Sequence, residues 1–69
     1  MLVKRSFTLA GHRTSVALEA PFWQALAELA DERARSVVSL VAEVDASRAA
    51  DCPLASALRV YALAQYRNR

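Results

Sequence analysis

The chain has 69 residues, 55% of them apolar, and carries nine basic against seven acidic side chains for a net charge of +2. A chain this short buries only about 60% of its unfolded surface when it folds alone. With Cys52 and His12 as its single cysteine and single histidine, it has neither an internal disulfide nor a structural zinc site to reinforce that core, which leaves oligomerisation. Apolar runs such as Leu40-Val41-Ala42 fall far short of the roughly 18 residues of a membrane span.

The predicted elements begin with an extended segment over about 5–19. In Arg5-Ser6-Phe7-Thr8-Leu9 and again in Thr14-Ser15-Val16-Ala17-Leu18-Glu19, polar and apolar residues alternate. That period of two puts Phe7 and Leu9, then Val16 and Leu18, on one face of each run. Between them lies Ala10-Gly11-His12-Arg13, with the chain's only glycine; Gly11 suits a reversal that needs positive φ. Pairing of the two runs as a hairpin and their use in separate contacts are both compatible with this pattern.

Pro21 opens a predicted helix over about 21–33, because proline fits the first helical turn. Phe22, Leu26, Leu29 and Ala30 recur at spacings of three and four, and Trp23 widens their stripe. Arg33-Ala34-Arg35 interrupts the pattern. Ser36 restarts it as the N-cap of a helix over about 36–48 with Val37, Leu40, Val41 and Val44 on one face. Asp51-Cys52-Pro53 marks the start of a third helix, about 53–67, lined by Leu54, Ala57, Leu58, Tyr61, Ala62 and Gln65 and broadened by Val60 and Leu63. One glycine, two prolines and fifteen alanines suit a mainly helical chain with a short N-terminal β segment. With no repeat or linker, 1–69 reads as one domain.

Charge is unevenly placed. Residues 1–18 hold Lys4, Arg5 and Arg13 and no acid, whereas residues 19–51 hold all seven acids against Arg33, Arg35 and Arg48. A basic front on an acidic middle suggests a polyanion-facing surface; a solvated basic tail accounts for it equally. Catalysis is not expected, and no catalytic residue is assigned. His12 sits beside a glycine turn, and Cys52 stands at a helix start just before Pro53. The free thiol and an opening Met1-Leu2-Val3-Lys4-Arg5 without the apolar run of a signal peptide point to a cytoplasmic protein.

Several stretches together carry a resemblance. The run Thr14-Ser15-Val16-Ala17-Leu18-Glu19-Ala20-Pro21-Phe22-Trp23, followed by Arg35-Ser36-Val37-Val38-Ser39-Leu40-Val41, resembles a ribbon-helix-helix domain, and the front at residues 5–15 with the tail Leu54-Ala55-Ser56-Ala57-Leu58-Arg59-Val60-Tyr61 sharpens the likeness. The likeness is to small bacterial single-domain members with an extra C-terminal helix. The resemblance implies an intertwined homodimer in which one strand from each subunit forms an antiparallel ribbon, of the kind that the Arc and methionine repressors lay in the major groove. The strand pattern argues the same way, since a lone strand leaves backbone groups unpaired and a second copy can satisfy them.

On that resemblance the partners are double-stranded DNA and a second copy, with no cofactor, metal or membrane, and the function is that of a transcriptional regulator or antitoxin-like protein. Arg13, Ser15 and Ala17 are placed at base edges, and the outward Ser6 and Thr8 are available to line the groove. Lys4, Arg5, His12, Arg35 and Ser36 are placed at phosphates, the last two because a helix start attracts anions. The dimer core is assigned to Val16, Leu18, Phe22, Trp23, Leu26, Leu40, Val41, Val44 and Leu58. Ala17 and Glu19 suit a DNA-reading face poorly, and Glu19 is expected to serve the dipole of the first helix instead. With the third helix, these two residues leave open an alternative: a protein-interaction module on the same scaffold.

Overall fold

The computed structural model describes residues 1–68. Two strands, β1 (Leu2–Leu9) and β2 (His12–Glu19), precede three helices, α1 (Ala20–Glu32), α2 (Val37–Ser47) and α3 (Leu54–Arg67). The strands pair with each other as an antiparallel hairpin, in a register that runs from Leu9 opposite His12 to Leu2 opposite Glu19. The two-residue connection has Ala10 at φ 51° and Gly11 at φ 81°. Positive φ at both positions is the signature of a type I′ turn, whose twist matches that of paired strands.

The hairpin changes one argument drawn from the sequence. The backbone partner expected from a second copy is supplied on one edge of β2 by β1 of the same chain. β1 also starts at Leu2, three residues before the predicted run, because Leu2, Val3 and Lys4 continue the ladder opposite Glu19, Leu18 and Ala17. The adjacent Leu2 and Val3 hide that continuation from a period-two reading.

One face of the hairpin packs on the helices through Phe7, Leu9, Val16 and Leu18, all buried. α1 buries Trp23, Leu26, Leu29 and Ala30. Its stripe is therefore centred on Trp23 rather than on Phe22, which is only half-buried and lies under the Arg59 guanidinium, 5.8 Å from it. Trp23 reaches the hairpin twice: its indole N–H donates to the Val3 carbonyl at 2.8 Å, and its ring lies 5.8 Å from that of Phe7.

α1 ends in a Schellman arrangement, with Arg35 N–H donating to Ala30 C=O and Ala34 N–H to Asp31 C=O. The residue that turns left-handed there is Ala34, at φ 53°, where glycine is the usual occupant. α2 starts at its predicted cap: Ser36 Oγ accepts from the Ser39 N–H at 3.0 Å. It buries Leu40, Val41 and Val44. α3 buries Leu54, Leu58 and Ala62, whereas Val60 and Leu63, expected to broaden that stripe, face out with 66% and 56% exposure.

The residues assigned to a dimer core thus enter a core that one chain forms by itself. Val16, Leu18, Trp23, Leu26, Leu40, Val41, Val44 and Leu58 are buried within the single chain, and Phe22 is partly so. α3 makes this possible by packing on α1, α2 and β2. Among the described residues no polar or charged side chain is buried, and no helix is long and apolar enough to cross a membrane.

Candidate nucleic-acid interface

The face of the hairpin turned away from the helices is polar and basic. Alternation sends the side chains of Lys4, Ser6 and Thr8 from β1, and of Arg13, Ser15 and Ala17 from β2, to that side. The register pairs them directly across: Lys4 with Ala17, Ser6 with Ser15, Thr8 with Arg13. Two of these pairs are hydrogen-bonded. Ser6 Oγ and Ser15 Oγ lie 3.1 Å apart, and Arg13 Nη1 donates to Thr8 Oγ1 at 3.2 Å. All except Ala17, which is half-buried, are exposed. The three residues placed at base edges by the resemblance, Arg13, Ser15 and Ala17, therefore form one outward row along β2.

The residues assigned to phosphates do not gather in one place. Lys4 is on the outer face. Arg5 stands opposite Val16 on the helix side, with its guanidinium 5.1 Å from the Trp23 ring centroid. His12 closes the hairpin opposite Leu9 and shares that inner-face parity, although it is exposed beside the turn. The strand's alternation, which sends neighbours to opposite sides, therefore separates Arg5 and His12 from Lys4.

Arg35 and Ser36 lie at the start of α2, and both already have partners. Arg35 donates from Nε and Nη2 to Ser39 Oγ at 3.2 and 2.8 Å, from Nη2 to Ser39 C=O at 3.1 Å, and from Nη1 to Glu43 Oε2 at 2.9 Å. Ser36 is the cap described above. Because the first intrahelical bond runs from Leu40 N–H to Ser36 C=O, the amides of Val37 and Val38 precede the helical ladder.

Glu19, which looked out of place on this surface, is turned to another use. It occupies the N-cap position of α1 without making a side-chain cap bond. Instead its Oε1 accepts from Arg59 Nε of α3 at 2.9 Å. That hydrogen bond, with the Glu19 backbone bond and the Arg59 charge, holds the carboxyl below the usual carboxylate range. The hairpin's only acid is thereby matched with a base.

Sequence reasoning did not find this pair, which joins positions 40 apart, nor the bonds that Arg33 makes to the Tyr61 hydroxyl and Gln65 Oε1 across α1 and α3. The tyrosines of α3 offered one usable signal, since Tyr61 and Tyr66 combine apolar bodies with polar tips. Tyr66 shows the same habit, with its hydroxyl 2.8 Å from Glu28 Oε1.

A β segment leading directly into successive helices, with an outward row of short polar and basic residues on the strand before α1, is consistent with the resemblance drawn from the sequence. A family model described as a ribbon-helix-helix domain matches residues 2–66. The chain belongs to the ribbon-helix-helix domain family. The matched residues include β1 and nearly all of α3 as well as β2, α1 and α2. No curated protein and no solved structure matches the chain.

Proposed function

We propose that the protein is a dimeric DNA-binding regulator of transcription whose β2 strands, one from each copy, form the ribbon that enters the major groove. Members of the family are generally DNA-binding transcription regulators. The observation that carries the reading is the outer face of the hairpin, with Lys4, Arg13 and Ser15 exposed on it and the neighbouring carboxylate of Glu19 engaged by Arg59. Arginine suits guanine O6 and N7, serine donates or accepts, and the Ala17 methyl suits the thymine methyl.

The second edge of β2 supports dimerisation. In a hairpin closed by a two-residue turn, the pair flanking the turn exchanges hydrogen bonds and the pairs beyond it alternate. Arg13, Ser15 and Ala17 therefore direct their backbone N–H and C=O groups away from β1. Antiparallel pairing of two copies along that edge gives the order β1-β2-β2-β1 and places two outward rows side by side on the two-fold axis. Lys4 on the flanks and the start of α2 at Ser36 then meet phosphates; Arg35 does so by exchanging its Glu43 contact for a phosphate oxygen. Arg5 contributes positive field from the edge of the sheet, and His12 stands exposed beside the turn.

The test is an anisotropy titration of the purified protein against duplex DNA at several salt concentrations. Saturable binding that weakens steeply with salt is expected; no binding at micromolar dimer would refute the reading. A second reading, a protein-interaction module on the same scaffold, draws on exposed Val60 and Leu63 beside the groove between α1 and α3. A dimer that binds no duplex but forms a stoichiometric complex with a purified protein would replace the first reading with the second.

A further inference from the structure

We infer that Ser6 and Thr8 of β1 are positioning residues for the DNA-reading strand, holding Ser15 and Arg13 of β2 in the orientation in which they meet base edges. The inference rests on the DNA-binding reading above and adds a division of labour between the two strands of the hairpin. It starts from width. Paired strands lie about 4.8 Å apart, so in a β1-β2-β2-β1 sheet each β2 runs roughly 2.4 Å from the two-fold axis and each β1 roughly 7 Å from it. The major groove is about 12 Å wide, or roughly 6 Å on either side of that axis. The β2 rows fit over the groove floor, while the β1 rows stand against its walls, where the short side chains of Ser6 and Thr8 cannot reach a base.

What those side chains do reach is the reading row. Thr8 is directly opposite Arg13 and its Oγ1 accepts from Arg13 Nη1 at 3.2 Å; Ser6 is directly opposite Ser15 with the two hydroxyls 3.1 Å apart. A guanidinium has five N–H donors in a planar fork. Spending one Nη1 hydrogen on Thr8 leaves the Nε and Nη2 hydrogens parallel and unspent, the pair that a guanine O6 and N7 would accept. An exposed arginine otherwise loses rotamer freedom when it docks, and a tether made before DNA arrives removes part of that loss. The Ser6 hydroxyl likewise occupies one side of Ser15 and leaves its other hydrogen-bonding direction for the groove. Lys4 is the member of the β1 row long enough to reach a phosphate from the wall, and it has Ala17, which offers no polar atom, opposite it.

The experiment compares two duplexes: one enriched by the wild-type protein from a library with a randomised 20-base-pair centre, and a shuffled version of the same composition. The discrimination between them and the salt dependence are measured by anisotropy. Thr8→Val keeps the branched shape that strands favour and removes only the hydroxyl. It is expected to reduce discrimination roughly three- to tenfold, a fraction of what a bidentate arginine contact supplies, with the salt slope unchanged. Thr8→Ser restores the hydroxyl and is expected to restore discrimination, and Ser6→Ala to reduce it less than Thr8→Val. Lys4→Ala is expected to weaken both duplexes equally and to flatten the salt slope. A Thr8→Val protein that keeps wild-type discrimination, or loses affinity equally for both duplexes, would overturn the positioning role while leaving DNA binding intact. A wild-type protein that binds neither duplex overturns both.

Discussion

Replacing Leu58 by alanine probes whether α3 is part of the core or an appendage. Leu58 is fully excluded from solvent in the middle of α3, within a cluster that includes residues of both strands and all three helices. The change removes three carbons, worth about 2.4 kcal/mol at ~0.8 kcal/mol per methylene. The cavity left behind brings the loss to about 3–5 kcal/mol. At ~0.05–0.15 kcal/mol per residue, a chain of this length has a total stability of roughly 3–10 kcal/mol, so the variant retains about two-thirds of its stability at best and none at worst. Trp23, the only tryptophan and buried at 3% exposure, reports unfolding by fluorescence. With a urea dependence of about 1 kcal/mol per molar, the midpoint should fall by roughly 3–5 M, at protein concentrations matched between variants because the proposed dimerisation would add stability by mass action. Val60→Ala on the outer side of the same helix, 66% exposed, should shift stability by less than about 0.5 kcal/mol. A Leu58→Ala loss under about 1 kcal/mol, or one equal to that of Val60→Ala, would show that α3 does not close the core.

Three further outcomes follow from local geometry. Gly11→Ala meets no atom within 4 Å of the new Cβ but must hold φ at 81°, so thermal denaturation should show a loss of about 1 kcal/mol from backbone strain alone; no loss would mean that the turn relaxes to another type. Ala34→Gly relieves the left-handed position at the end of α1, where φ is 53°, and should raise stability by about 0.5–1 kcal/mol in the same assay. Because the Glu19 carboxyl is held below its ordinary range mainly by Arg59, the folded state binds its proton less readily than the unfolded chain does. Its contribution is present above the unfolded carboxylate range near ~4.3 and is lost as pH falls through and below it. Glu19→Gln should therefore flatten the acid limb of a stability profile measured between pH 6 and 2, and an unchanged limb would refute the pairing.

The elements that announced themselves in the sequence did so through local chemistry. Pro21, Ser36 and Pro53 mark the three helix starts, and each observed start lies within one residue of its mark. Gly11 marked the reversal, and Val16 and Leu18 the inward face of β2. Features that depend on partners distant in the chain were not legible. Whether the two extended runs pair with each other is decided by register and by Ala10 accepting positive φ, neither of which a single glycine announces. Phe22 and Trp23 are neighbours of similar hydrophobicity, and only the position of the Val3 carbonyl and the Phe7 ring selects Trp23 for the interior.

At the candidate interface, alternation identified Arg13, Ser15 and Ala17 as one row without any coordinates. The phosphate set was drawn from basic charge, which carries no direction, so it joined Lys4 to Arg5 although the strand turns them to opposite faces. Arg35 shows the same blindness. Its charge was visible, but the engagement of its guanidinium by Ser39 and Glu43 depends on the helix that begins beside it.

The account depends most on two copies joining along the free edge of β2, because a reading face centred on a two-fold axis exists only in that assembly. Sedimentation equilibrium at low micromolar concentration tests it directly, comparing the wild type with Ala17→Pro. The proline removes an N–H that points away from β1, so the hairpin retains its own bonds while the intermolecular edge is blocked. For a chain of 7.6 kDa the account predicts a wild-type species of about 15 kDa and a folded Ala17→Pro monomer. A wild type that sediments at 7.6 kDa with its native circular dichroism, or an Ala17→Pro variant that remains a dimer, would contradict it.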